Sequence, residues 1–428
     1  MISTRNVFSG FLLLFISLVA QADENPITSD ESLESQVQQL VQELDAPQLA
    51  QRNAAEQALQ ELGEPALEFL PVAGTTLPPE VTKRVERVRI RIAKTAASKS
   101  AEKKIKDVQL GGAATLGAAL EAISRDSGIE FDHQAKAETD ITPFGSPLPF
   151  WHAVDYVLDQ SDLDIDFYSG DGNTLALVQR TEKRPNRVDS AAYAGLFRLE
   201  PVIITGRRVL RDTTLSGMNV ELEISWKPNS HPVGITLPLS QITAKLDDGA
   251  TIRPPEQTGT IDIAPSDEVA VSTIQVPLNL PAGRPTKMVS LSGRIVSMLP
   301  GETKQFDFPL KIGSQTQNVD FVTVTLEEVR KSGPLHEVRM GVQYKSPGKA
   351  MESHRGWLLG NEVYVSMADG SRQDHLGYEL YRHNETGIGI GYLFDVGDSV
   401  GEAKLVYKTP TAVVENEIDF VIQDIQMP

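Results

Sequence analysis

The chain of 428 residues has no cysteine. That excludes disulfide bonds, thiolate chemistry and a lipid anchor attached through sulfur, so each unit must stand on its own core. Aromatic residues are scarce, at 6% with three tryptophans, and the seven histidines are scattered. No H-E-x-x-H run marks a zinc site, and no complete nucleotide loop is present. Bases are outnumbered: 40 Lys and Arg stand against 58 Asp and Glu, a net charge of −18. Such a balance argues against general binding of nucleic acid or anionic lipid. Past Ala22 no apolar run approaches the ~20 residues that span a bilayer, so no integral membrane segment is expected beyond the leader.

The first residues have the pattern of a secretory signal. Arg5 precedes an apolar run from Val7 to Ala20, and Ala20-Gln21-Ala22 is a small-x-small cleavage site. Cleavage after Ala22 predicts a periplasmic or secreted protein.

Residues 23–105 predict helices. Leu33, Val37, Leu40, Val41 and Leu44 share a helical face, and Val81, Val85, Val88 and Ile92 share another. The pattern L-x-A-P…R-N-A-A-x-x-A-L-x-x-L-G-x-x-A-L-x-x-L, from Leu44 to Leu70, resembles HEAT repeats. The resemblance implies stacked helical hairpins. Charge is segregated: residues 30–68 hold nine acids and one base, and residues 80–106 hold ten bases and three acids. Arg84, Arg87 and Arg91 are candidate contacts for an anionic partner; alternatively, the basic helix faces the acidic ones.

The stretch VQLGGAATLGAALEAISRDSG, Val108 to Gly128, places Gly111, Gly112 and Gly117 where a strand would meet a helix. A phosphate loop needs Lys-Ser/Thr after the last glycine, and Ala118-Ala119 stands there instead. The glycines predict a strand exit, and Thr115 predicts a helix N-cap. Between 106 and 183 the pattern predicts strand (106–110), helix (116–127), strand (129–132), strand (139–144), helix (149–160), strand (163–168) and strand (174–179). Thr115, Leu116, Ala119, Leu120, Ile123, Ser127, Gly128 and Ile129 match the first motif of the short N-terminal domain of secretins and TonB-dependent receptors. Leu148, Pro149, Ala153, Val154, Asp155, Val157, Leu158 and Leu163 match the second. This unit resembles that family, which implies a small α+β fold and protein–protein contact in the periplasm. No secretin pore or outer-membrane barrel follows it.

From Arg187 the pattern alternates with period two. Val220, Leu222, Ile224 and Trp226 lie on one face, with Glu221 and Glu223 on the other. Turn-separated runs of this kind predict two antiparallel β-sandwiches of Ig-like type, 187–314 and 316–428. The two halves end alike, in FDFPLKI and IDFVIQDI. The predicted whole is a multidomain α+β chain: helical hairpins, a small α+β unit and two sandwiches.

Asp162, Asp164 and Asp166 mimic the start of a calcium loop. The loop would need Gly and Glu where this chain has Phe167 and Asn173, and a half-buried strand explains the alternation equally well. Gly387, Gly389 and Gly391 in GIGIGYLF suggest either close backbone packing or a flat face for strand addition. Trp357, Tyr364, Tyr378, Tyr381 and Tyr392 could form a sugar-stacking platform, with Trp357 and Tyr378 the leading candidates. No cofactor or catalytic residue is predicted. The leading expectation is an exported, non-enzymatic scaffold that contacts an envelope protein. The alternative is a glycan-binding protein or a glycoside hydrolase with a carboxylate pair.

Overall fold

The computed structural model describes residues 29–71, 76–104, 106–170, 172–181, 185–266, 269–311, 313–345, 354–384 and 386–428. The leader and its cleavage site lie outside them. Strands in several antiparallel sheets dominate, with helices gathered toward the N-terminus. No described helix is long and apolar enough to cross a membrane.

Helices α1 (Ser29–Glu43), α2 (Leu49–Leu62) and α3 (Pro79–Lys104) enclose a small core of Val37, Leu44, Leu59, Val81, Val85, Val88 and Ile92. These are the stripes expected from periodicity. Gly63 ends α2 at φ 72°, a conformation that glycine adopts without a Cβ clash.

The next unit has α4 (Leu116–Ser127) and α5 (Phe150–Ser161) on a sheet of β1 (Glu130–His133), β2 (Leu163–Asp166) and β3 (Thr174–Gln179), in the order β1-β3-β2. Gly111 sits at φ 59°, and the Thr115 hydroxyl accepts from the amide of Ala118 at 3.4 Å. A Cβ on Gly117 would lie 3.0 Å from that of Ala137, so its absence serves close packing. Two expected strands differ. Residues 106–110 make only a bridge from Val108 to Leu148, and residues 139–144 only one from Asp140 to Thr115. The carbonyl of Thr139 accepts from Leu116, and the amide of Ile141 donates to Ala114, so this segment ties down the start of α4 instead of extending the sheet.

A one-turn helix, α6 (Arg187–Ser190), leads into the first sandwich. One sheet holds β4 (Ala192–Ala194), β5 (Phe197–Arg207), β6 (Gly217–Trp226) and β11 (Val271–Leu278). The other holds β7 (Gly234–Pro238), β8 (Thr243–Leu246), β9 (Thr251–Ile252), β10 (Thr260–Ile263) and β12 (Lys287–Pro300). The second sandwich faces β13 (Thr303–Pro309), β17 (Val363–Ser366), β18 (Arg372–Asp374) and β21 (Lys404–Pro410) against β14 (Gln315–Val319), β15 (Val322–Ser332), β16 (Leu335–Tyr344), β19 (Gly377–His383) and β20 (Gly387–Phe394).

The last strand, β22 (Val413–Gln426), does not join the second sandwich. It pairs along its length with β12 and sends Phe420, Ile422 and Ile425 into the first core. The run FDFPLKI is crossed in the same way, because its strand β13 pairs with β21 in the second sandwich. Only Gly301 and Glu302 separate β12 from β13, and only Thr411 and Ala412 separate β21 from β22. The register holds across the junction: Lys287 faces Gln426, Pro300 faces Val413, Thr303 faces Pro410 and Pro309 faces Lys404. The Gly301 amide donates to the Ala412 carbonyl at 2.9 Å, and the Thr411 amide donates to the Glu302 carbonyl at 3.0 Å. One antiparallel ribbon therefore runs through both sandwiches. Helix α3 seals its crossing point, where Ala93 is buried with Phe321 and Ala412.

The glycines of β20 have a packing explanation. A Cβ on Gly389 would meet the Tyr381 ring at 2.8 Å, and one on Gly391 would meet the Glu337 carboxylate at 2.9 Å. Tyr381 belongs to β19 and enters a bulge between Leu380 and Arg382. Its hydroxyl donates to Glu327 at 2.6 Å, and Arg339 lies 4.9 Å over its ring. The face is covered by the chain's own side chains, which leaves no flat surface there for a ligand. Gly389→Val should displace the ring and cost about 1–3 kcal/mol in a urea melt, as overpacking does.

Candidate functional site

Arg84 turns inward, and Arg87 joins it on the same carboxylate from an exposed position. Arg84 donates to Glu56 at 2.7 Å, to Asn53 at 3.1 Å and to Glu80 at 3.1 Å, and Arg87 donates to Glu56 at 2.9 and 2.8 Å. Both guanidiniums hold the Glu56 carboxyl below its ordinary value, the Arg87 hydrogen bond contributing most. Two bases of α3 thus share Glu56 of α2; Arg84 is buried, while Arg87 and Arg91 stay exposed.

The three aspartates do not converge. Asp162 closes α5 in the left-handed region at φ 51°. Asp164 pairs with Arg187 at 2.7 Å, and Asp166 caps the turn that follows by accepting from Tyr168 and Ser169. No group of three metal-type ligands occurs among the described residues. The aromatic platform is likewise dispersed. Tyr392 is buried in the second core and Tyr381 covers Gly389. Tyr364 carries Arg372 over its ring at 4.2 Å, and Tyr378 stands half-exposed at an edge strand.

Asp155 was legible only as a motif position. It is fully buried and accepts from Arg198 at 2.9 Å and from the Tyr193 hydroxyl at 2.9 Å. Arg198, also fully buried, donates further to Glu223 and Ser225 at 3.0 Å and lies 4.9 Å over the Trp151 ring. Arg187 binds Glu200 at 2.8 Å beside them. Burial pushes the Asp155 carboxyl upward, while Arg198, Arg187 and Tyr193 pull it down. Burial is the larger effect and leaves this carboxyl above its ordinary value, beside the permanent charge of Arg198. A charged residue inside the stripe of Trp151, Val154 and Leu158 was the available signal. The cluster fastens α5 to β5 and β6.

A second carboxylate contact lies between the helices and the ribbon. Glu64, Glu302 and Asp320 line a gap of about 180 Å³. That is smaller than a typical ligand site of about 300–1,000 Å³. The hydrogen bond to Glu302 raises the Glu64 carboxyl above its ordinary value of 4.5, and Lys304, 2.8 Å from Glu302, keeps Glu302 ionised. Below its raised value Glu64, and not Glu302, holds the proton between them. Its stabilising contribution is complete below 4.5 and is lost as pH rises through the raised value. Thermal melts should show this loss in the native chain, and Glu64→Gln should flatten it.

Among the described residues, a cleft of about 960 Å³ lies between the sandwiches. The ribbon contributes Pro300, Gly301, Thr303 and Pro410 to it; His231, His354, Trp357 and Asn361 add polar and aromatic groups. His354 Nε2 lies 3.3 Å from Thr236 Oγ1 and 3.9 Å from Asp262 Oδ1. Burial depresses its imidazole and Asp262 opposes that shift. A catalytic triad needs the base to use one ring nitrogen for the nucleophile and the other for the acid. Here one nitrogen faces both groups, while the Thr236 hydroxyl also donates to Asp262 at 2.8 Å. The rim groups bind one another: Asn361 donates to Tyr407 and Thr409 at 2.8 Å, and Glu362 holds Lys408 at 2.8 Å. Sequence reasoning had singled out only Trp357 of these residues.

The G-x-S-x-G spacing does occur once, at Gly397-Asp398-Ser399-Val400-Gly401. It lies in a 3-10 turn, Gly397–Glu402, that joins β20 to β21. A nucleophile elbow requires a turn from strand into α-helix, so the spacing lacks its structural context.

Comparison with known family models, curated proteins and solved structures finds no match to this chain.

Proposed function

We propose that the chain is an exported, non-enzymatic binding and scaffold protein of the bacterial envelope, and that the inter-sandwich cleft receives its protein partner. The supporting observation is the cleft itself: a large space whose wall is an unbroken ribbon and whose Asn361, Glu362 and Lys408 side chains are held by their neighbours. A stiff recess of this kind holds a ligand without reorganising. The helices and the small α+β unit, similar to HEAT repeats and to secretin N-terminal modules, supply further contact faces in this reading. The decisive experiment is affinity capture from envelope extract with the native chain and with Trp357→Ala and Asn361→Ala. Loss of one specific partner with both variants supports the cleft, and capture unchanged by either refutes it.

The carbohydrate reading keeps one specific support. The Trp357 indole N–H is buried at the cleft with no acceptor among the described residues, and a ligand hydroxyl would provide one. A glycan array without hits removes this alternative.

A further inference from the structure

Strand directions bring the β5–β6 hairpin, the β8–β9 turn and the β11–β12 loop to one end of the first sandwich, opposite the second. At this end the acidic excess of the chain is absent, with Arg207, Arg208, Arg211, Arg284 and Lys287 against Asp212, Asp247, Asp248 and Asp424. The hairpin tip carries Arg207, Arg208 and Arg211, and the neighbouring β11–β12 loop carries Arg284. None of the four has an ion-pair or side-chain hydrogen-bond partner among the described residues. The nearby acids are hydrogen-bonded or paired elsewhere but keep their charge, so the hairpin tip itself carries three arginines against Asp212. Asp212 accepts from Thr214, Asp247 from Thr286, and Asp248 from the Ala250 amide, while Asp424 pairs with Lys287.

The same hairpin exposes its large apolar side chains. Leu210 is 87% exposed, Leu215 61%, Ile203 51% and Val202 43%. Isolated exposed leucines need no cause, but Leu210 and Leu215 share the hairpin tip with three unpaired arginines, and Val202 and Ile203 lie behind them on β5.

We propose that this hairpin docks the protein on an anionic bilayer surface. Leu210 and Leu215 would enter the headgroup–acyl boundary, with the arginines meeting lipid phosphates around them. A fluid surface suits the geometry better than a folded partner. The leucines project from a loop tip, where a rigid protein would need a matching recess, whereas a bilayer yields to them. The net charge of −18 does not prevent docking, because repulsion from the distant acids is screened within about 8 Å at physiological salt and the local patch dominates at contact. This inference is independent of the cleft reading.

The test is flotation of the exported chain with vesicles of phosphatidylcholine alone or mixed with phosphatidylglycerol. Binding should require phosphatidylglycerol and weaken with salt. Arg207→Glu/Arg208→Glu/Arg211→Glu should reduce it by roughly tenfold or more. Leu210→Ser/Leu215→Ser should also weaken it, and unchanged melting would show that both variants fold. Failure of the native chain to float with the anionic vesicles, or equal flotation of the arginine variant, overturns the proposal. Absence of flotation together with arginine-dependent capture of an acidic protein overturns it in favour of a protein partner.

Discussion

Arg198→Ala should destabilise the protein by about 3–5 kcal/mol, the cost of leaving one partner of a buried ion pair alone. With domain stabilities of about 5–15 kcal/mol, that is a large fraction of the total. Alanine would strand Asp155, which has no solvent exposure and would keep only the Tyr193 hydroxyl and more distant Arg187. It would also free Glu223 and Ser225 from their donor and remove the guanidinium from the Trp151 face. Arg198→Lys should recover only part of the loss, since one ammonium cannot reach acceptors placed for a planar fork. Urea denaturation of the two variants and of Arg198→Met/Asp155→Leu gives the decisive comparison. If the double variant is much closer to the native protein than Arg198→Ala, the penalty comes from the orphaned carboxylate. An Arg198→Ala change of under about 1 kcal/mol would contradict the buried-pair account.

Ending the chain at Ala412 should unfold the first sandwich. The deletion removes a 14-residue strand from beside β12 and takes Phe420, Ile422 and Ile425 from the core. The Phe420 ring fills space that only a glycine at 293 leaves open; a Cβ there would sit 2.6 Å from it. Phe420→Ala alone should cost about 3–5 kcal/mol. The full deletion also opens the β12 edge to pairing between molecules, so aggregation should accompany it. The ribbon adds a second consequence: both sandwiches of the intact chain should melt in one transition. Calorimetry showing two separated transitions, or a soluble truncated chain with native melting, would rule out the ribbon as the shared spine.

Much of the local structure was readable in the residues. The boundaries of α4 follow from Thr115 at its start and Gly128 at its end, and β6 follows from Val220, Leu222, Ile224 and Trp226. Capping and periodicity act over a few residues, so a short window contains their causes. The sequence offered pairing with the acidic helices as one of two readings of the basic helix, and Arg84 and Arg87 do pair with Glu56 of α2. Trp357 reached the cleft, but its companions His231, His354 and Asn361 had no pattern to announce them.

Strand pairing and charge burial were decided elsewhere. IDFVIQDI reads as a strand wherever it pairs, because alternation reports a half-buried surface and carries no address for the partner. Only the folded chain sends it back across the second sandwich to β12, 119 residues away at Ser297 and Asn416. Asp155 and Arg198, 43 residues apart, look like ordinary surface charges until two units close over them. The sequence by itself determined where helices and strands begin and which faces are apolar. Tertiary structure decided which strand completes which core, which charges meet in the dry, and where an open cleft and a basic hairpin remain, because each of these depends on contacts between distant parts of the chain.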